Sequence, residues 1–268
     1  MWYNNAMNTL QDIIDASQNI VFFGGAGVST ESGIPDFRSK DGLYNQRDVQ
    51  FDAYTPEYLL SRDCLMNESV VFFEYYRQKM DVTGIEPNAA HKKLAELERS
   101  GKLRGVITQN IDGLHQKAGS KNVQELHGST LRNYCSRCGK SLPPDYIFRT
   151  LNAHHDGTDD ALSDGYAPAD GGIPRCPHCG GMVRPDVTLY GEGLPEDAWQ
   201  NSLALLHDAD CLIIGGTSLV VAPASYLVYE FHGEHLVVIN KGHTPQDANA
   251  DLLIRDPIGE TFAGILVR

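Results

Sequence analysis

Short apolar runs that close on glycine or polar turn residues recur along this chain, with amphipathic stretches between them. Ile20-Val21-Phe22-Phe23 passes straight into Gly24-Gly25-Ala26-Gly27, as a buried parallel strand feeding a tight turn does. Residues 106–108, 211–214 and 236–239 repeat the pattern, and 252–254 give a weaker version of it. The intervening periodicity is helical. In residues 88–100, Asn88 can cap the helix, Ala90, Leu94 and Leu97 share a face, and Gly101 can end it. Residues 8–18 place Leu10, Ile13 and Ile14 on one side, and 55–62, 68–80, 196–207 and 222–231 also read as helices. Strands alternating with helices predict an α/β protein on a doubly wound parallel sheet.

One stretch breaks the alternation. Residues 150–174 hold five Asp, four Gly, two His and no Lys or Arg, the composition of a loop. They lie between Cys135-x-x-Cys138 and Cys176-x-x-Cys179, so they read as an insertion in a small metal module. Zinc takes four soft ligands in a tetrahedron, and each CxxC turn offers two thiolates to one metal. The gap of 37 residues between Cys138 and Cys176 exceeds the ~15–20 of a compact ribbon. Such a gap is tolerable because loop-closure cost grows only logarithmically. A redox pair is the competing reading, although redox CxxC motifs usually occur singly. Four cysteines would leave a catalytic zinc no open position, which makes the expected metal structural. His178, inside the second pair, is either a competing ligand or a solvated loop residue. Paired thiols with Cys64 and Cys211 alone fit a reducing compartment better than a disulfide framework.

The 268 residues suit one large domain with a small insert, and 41% hydrophobic with 21% charged residues is ordinary for a globular protein. Thirty-five acidic against 22 basic residues give a net charge of −13. That sign argues against nucleic acid or an anionic membrane as the main partner and weakly favours a basic substrate segment. The most apolar stretch, 211–224, is broken by Gly215, Gly216 and Pro223, well short of the ~20 residues that span a bilayer. No basic segment followed by an apolar run opens the chain, so a cytoplasmic location is expected.

Candidate chemistry gathers at the predicted strand ends, where α/β sheets bind ligands. Gly25 and Gly27 sit where a pyrophosphate can meet backbone N–H groups, but Thr30 stands where a dinucleotide fingerprint would put its third glycine. The turn is therefore either a phosphate site or a plain tight turn. Phe37 and Arg38 follow in a loop rich in turn residues, as an aromatic cover and an anion partner or as a buried anchor on a surface loop. Gln109, Asn110 and Asp112 offer amides and a carboxylate for a sugar or carboxamide. His127 is a general-base candidate, since an ordinary histidine titrates near working pH, or a structural histidine. Gly216, Thr217 and Ser218 can meet phosphate or ribose hydroxyls, and Asn240 a ribose.

Taken together, these motifs resemble the sirtuins, the NAD-dependent protein lysine deacylases, in the bacterial and archaeal-type branch. The matching segments are GAGVSTESGIPDFRS (25–39), TQNIDGLHQKAG (108–119), ELHGS (125–129), the two CxxC pairs, RPDVTLYGE (184–192), GGTSLVVAPA (215–224) and VVIN (237–240), in the family's order. The resemblance implies a Rossmann-like domain and a smaller zinc-ribbon domain, with a cleft between them for NAD and an acyl-lysine protein or peptide. It places the first at 1–130 and 185–268 and the second at 131–184, to which 38–85 can also contribute. Ala26, Thr30, Phe37 and Arg38 then match a cofactor-binding loop, with Gly25 and Gly27 in its turn. Gln109, Asn110, Ile111 and Asp112 match the nicotinamide and ribose pocket, and His127 matches the general base. Gly216, Thr217, Ser218 and Asn240 match contacts to the adenosine half, and Ile258 lies where adenine would pack. Val187, Leu189, Tyr190 and Gly191 resemble the strand that pairs with substrate backbone, with Tyr190 where the family usually has Phe.

The implied reaction joins the acyl oxygen of the lysine amide to the nicotinamide ribose as nicotinamide leaves. A weak nucleophile of this kind depends on positioning, a task for Asn110 and Asp112. His127 would then take a proton from the ribose diol. The products are free lysine, nicotinamide and O-acetyl-ADP-ribose. Sirtuins that remove succinyl or malonyl groups carry a Tyr-x-x-Arg pair before a Pro-Asn-Ala-x-His segment. Here the best register puts Phe73 and Tyr76 there, and a slip of one gives Glu74 and Arg77. An acidic acyl group lacks its charge partner, so acetyl or another uncharged group is expected. The competing reading of the aromatic run at 72–76 is helix core. Protein ADP-ribosyl transfer is the alternative activity. A nicotinamide dehydrogenase is opposed by Thr30 and the paired cysteines, and a non-enzymatic NAD sensor by the intact motifs.

Overall fold

The computed structural model describes residues 9–46, 48–156 and 169–268. Among them the strands are β1 (Ile20–Gly24), β2 (Leu103–Thr108), β3 (Val123–Glu125), β4 (Gly128–Cys135), β5 (Ser141–Leu142), β6 (Val183–Val187), β7 (Cys211–Gly215), β8 (His235–Ile239) and β9 (Leu252–Ile254). The α-helices are α1 (Leu10–Ala16), α2 (Pro56–Leu59), α3 (Arg62–Asn67), α4 (Ser69–Lys79), α5 (Ala89–Arg99), α6 (Leu114–Ala118), α7 (Tyr146–Asp156), α8 (Glu196–Asp208) and α9 (Ile258–Ala263). None of the described helices is long and apolar enough to cross a membrane.

Six strands form a parallel sheet in the order β3-β2-β1-β7-β8-β9. Every residue of β1 and β7 is buried, as central parallel strands covered on both faces must be. Alternate side chains go to opposite layers. Phe22 and Ile213 join Ile13, Leu94 and Phe262 of α1, α5 and α9, whereas Phe23 and Ile214 join Leu206 of α8 and Leu227. The chain lays β2 and β3 to one side of β1 and later returns to lay β7, β8 and β9 on the other. The order therefore reverses at β1, which opens a crevice beyond its carboxyl end. The expected Rossmann-like, doubly wound sheet is present.

A second, antiparallel sheet runs β5-β4-β6. A third apolar cluster joins Val183 and Leu142 of this sheet to Phe72, Phe73 and Tyr76 of α4 and Ile147 of α7. Residues from 51–80 thus pack with the small sheet. The boundaries expected at 131 and 184 fall inside β4 and β6.

Several sequence expectations are refined. The helix expected at 55–62 ends at Leu59, because Leu60 and Arg62 hydrogen-bond to the main chain of Tyr190. Ser61 then accepts from the Cys64 N–H and caps a new helix, α3. The segment expected as a helix at 222–231 winds as a 3₁₀-helix over Ala224–Glu230. The first part of the expected 150–174 loop belongs to α7, whose Tyr146, Ile147 and Leu151 are core residues. A composition averaged over 25 residues hides such a helix end. Residue 8 of the first expected helix and residues 157–168 of the loop lie outside the described residues.

Candidate active site

The carboxyl ends of the parallel strands open into a cleft of about 850 Å³. Ala26, Gly27, Thr30, Phe37, Arg38, Gln109, Asn110, Ile111, Asp112, His127, Gly216, Thr217, Ser218, Asn240 and Ile258 all line it, as do Val187, Leu189, Tyr190 and Gly191. Of the candidate cofactor residues only Gly25 stands behind the wall, where a Cβ would meet Thr217 Cβ at 2.8 Å.

The turns after β1 and β7 cross at contact distance. Gly27 N–H donates to Gly216 O at 2.8 Å, and a Cβ on Gly27 would sit 2.8 Å from Gly216 Cα. No long helix follows β1. Two 3₁₀ turns, Ala26–Val28 and Thr30–Ser32, replace it, and Thr30 Oγ1 donates to Gly27 O at 3.0 Å. This explains the missing third glycine, since no helix packs against the strand at that position.

Ser29 is the hub beneath this floor. Its hydroxyl donates to Asp112 Oδ2 at 2.6 Å and accepts from Asn110 Nδ2 at 3.1 Å. Asp112 Oδ1 accepts from the Leu114 N–H at 2.9 Å. Burial pushes Asp112 above the ordinary aspartate range, and these donors oppose the rise. Gln109 Nε2 reaches Thr217 Oγ1 at 3.3 Å and links the ends of β2 and β7. Ile111 packs toward the α4 cluster, and its carbonyl accepts two bonds from Thr130. Asn240 donates from Nδ2 to Gly242 O and accepts from Arg255 at its carbonyl. Ile258 opens α9 with its side chain 5% exposed, where Glu31 accepts from the Gly259 N–H.

His127 follows β3 and precedes β4. Its Nδ1 lies 2.9 Å from the carbonyl of Gln109. A carbonyl can only accept, so Nδ1 carries the proton and Nε2 keeps a free lone pair. Burial lowers its pKa below the ordinary histidine value, against the opposing pull of that carbonyl, so the ring is neutral at neutral pH. A neutral ring with one lone pair in a cleft is the equipment of a general base.

In the segment expected to meet substrate backbone, Thr188 donates to His127 O, Leu189 to Glu192 Oε2 and Tyr190 to Leu60 O. The Tyr190 carbonyl accepts from Arg62. The strand is therefore already paired with residues 60–62 at Tyr190, a contact that no local sequence signal announces. Of the acyl-selectivity positions, Tyr76 borders the cleft, whereas Phe73, Glu74 and Arg77 do not. Phe72, Phe73, Tyr75 and Tyr76 are all buried, so the run is helix core as well. Lys79, which also borders the cleft, pairs with Asp48 at 3.4 Å.

The four paired cysteines converge in the small sheet, with their sulfurs within 4.8 Å of one another. Cys135 and Cys179 are 3.5 Å apart, and Cys138 and Cys176 3.9 Å. A tetrahedron of Zn–S bonds of about 2.3 Å has edges of roughly 3.8 Å, so the four thiols fit one zinc ion with no position left open. His178 is not part of this cluster.

A model of the Sir2 family matches residues 25–223. An NAD-dependent protein deacetylase of Clostridium acetobutylicum is 49% identical over 97% of this chain and 98% of its own length. One from Cutibacterium acnes is 48% identical over 94% of each chain. Among solved structures, a Sir2 variant with deacetylated p53 peptide and 3′-O-acetyl ADP-ribose aligns with a TM-score of 0.79, at 34% identity over 94% of each chain. A complex of Sir2 with p53 peptide and NAD⁺ aligns at 0.75, with 34% identity over 94% of this chain and 93% of that one. The extent of the family match and of these identities makes the chain a member of the Sir2 family, the sirtuins.

Proposed function

We propose that this protein is an NAD-dependent protein lysine deacetylase. The observation that carries the reading is His127, a neutral histidine with a free Nε2 in the lining of a cleft that the glycine turns also border. Its relatives from Clostridium acetobutylicum and Clostridium tetani bear the name of that activity, and aligned Sir2 structures hold acetylated peptide, NAD⁺ or acetyl ADP-ribose.

NAD, when bound, supplies a ribose that can give up nicotinamide and take the acyl group as O-acetyl-ADP-ribose. The chain's residues do the rest. The crossed turns at Gly27 and Gly216 let backbone approach a pyrophosphate closely. Asn110 and Asp112, fixed through Ser29, orient the nicotinamide end, while Thr217, Ser218, Asn240 and Ile258 receive the adenosine half. His127 accepts the proton from the ribose diol at Nε2. Val187, Leu189, Tyr190 and Gly191 receive the substrate peptide. Zinc on Cys135, Cys138, Cys176 and Cys179 shapes the small sheet and takes no part in the chemistry. Uncharged acyl groups are preferred, because Phe73 and Tyr76 supply no cation for a succinyl carboxylate and Lys79 is engaged by Asp48.

The test measures nicotinamide release with acetyl-lysine peptide, succinyl-lysine peptide or none, for wild type and His127→Ala. Release that needs the acetyl peptide, yields O-acetyl-ADP-ribose and falls about 10²–10⁴-fold in the variant supports the reading. A succinyl preference would overturn the acyl assignment. Release without acyl peptide, with ADP-ribose appearing on protein, would make the enzyme an ADP-ribosyltransferase.

A further inference from the structure

The loop over residues 36–46 lines one part of the cleft and is folded on itself. Leu43 N–H donates to Asp36 O and Tyr44 N–H to Phe37 O, Asp36 Oδ1 accepts from the N–H groups of Arg38 and Ser39, and Asn45 Nδ2 reaches the carbonyls of Arg38 and Ser39. The Phe37 ring meets the Tyr44 ring edge-on at 5.4 Å, and the Arg38 guanidinium lies over the Tyr44 ring at 5.3 Å. A loop knitted in this way moves as a unit.

Its polar tether to the rest of the protein is narrow. Among the described residues, the hydrogen bonds that leave this loop all end on one atom, the hydroxyl of Tyr190. Arg38 Nη2 donates to it at 3.3 Å, and Tyr44 Oη lies 3.1 Å away. The Tyr190 main chain is paired with Leu60 and Arg62, so its end of the tether is rigid. Arg38, Tyr44 and Tyr190 all line the cleft.

We propose that Tyr190 is a positioning residue whose hydroxyl latches the 36–46 loop closed over NAD, and so couples the peptide strand to the cofactor loop. A phenylalanine at this position keeps the ring and loses the latch. With the latch made, the loop no longer has to be ordered anew when the cofactor binds, which lowers the cost of binding. The inference rests on the deacetylase reading for the identity of the ligand, and its main readout is independent of turnover.

The experiment compares wild type, Tyr190→Phe, Tyr44→Phe and the double variant. Amide hydrogen exchange over 36–46 is followed without and with NAD, and the KM for NAD is measured with an acetyl-lysine peptide. The expected result is faster exchange of 36–46 in both single variants and a KM for NAD raised about threefold to tenfold, more than kcat falls. The double variant should be no worse than Tyr190→Phe alone, because that change already removes the contacts of both Tyr44 and Arg38 with the hydroxyl. Unchanged exchange in Tyr190→Phe, or a double variant clearly worse than Tyr190→Phe, would overturn the latch. Absence of peptide turnover in the wild type would instead strike the deacetylase reading, while the exchange data still decide the latch.

Discussion

Ser29 and Asp112 come from the turns after two neighbouring strands and meet at 2.6 Å, with Asn110 on the same hydroxyl at 3.1 Å. One serine therefore sets the direction of both groups assigned to the nicotinamide end. In Ser29→Ala the buried carboxylate loses a donor. Hydrogen bonds to charged groups contribute about 1.5–3 kcal/mol, so kcat/KM for NAD should fall roughly 10- to 150-fold. Steady-state kinetics check this, and a change under twofold would remove Ser29 from the site.

Burial lowers the His127 pKa, and a base works only when unprotonated. Activity is thus present above the folded-state pKa and lost as pH falls through it. The acid limb of kcat/KM should lie below the ordinary 6.5 of histidine. A pH–rate profile whose acid limb lies at or above 6.5 contradicts the assignment.

His91 and His115 pack ring against ring at 4.7 Å beneath the sheet, and among the described residues neither nitrogen of His115 has a hydrogen-bond partner. Burial holds His91 down to about 4 and His115 well below the ordinary value. In both, the unfolded chain binds protons that the folded one refuses. The stability they confer is full above pH 6.5 and drains away as pH falls toward 4, by roughly 3 kcal/mol for His91. Urea titrations across this range should show the decline, and His115→Leu should flatten it. An equal slope in the variant would place the acid sensitivity elsewhere.

The four-thiol cluster predicts one zinc per chain. Cys176→Ser should lose the metal and lower the melting temperature by roughly 10 °C or more. Metal analysis with a melting curve reads both. Retention of a full equivalent of zinc in the variant would rule out this cluster as the site.

The sequence made some of this molecule plain and hid the rest for physical reasons. β1 and β7 are buried on both faces, so their apolar runs ending in glycine leave little ambiguity. β6 is covered on one face only; Arg184 and Asp186 keep its alternation, but Pro185 on the buried face reads against a strand. α9 is six residues long, too short for helical periodicity to register. The candidate site was legible where its residues stand in contiguous motifs, as at 108–115 and 125–129. Ser29 was not singled out, because its partners lie 81 and 83 residues away and a serine in a glycine turn reads as a turn former. The pairing of residues 60–62 with Tyr190 is equally non-local.

β4 starts at Gly128, the residue after His127, and ends on Cys135. The proposed proton acceptor and an expected metal ligand are thus joined by a single strand. If zinc holds the four sulfurs, its loss is expected to lower activity through β4, although the metal would touch no reactant.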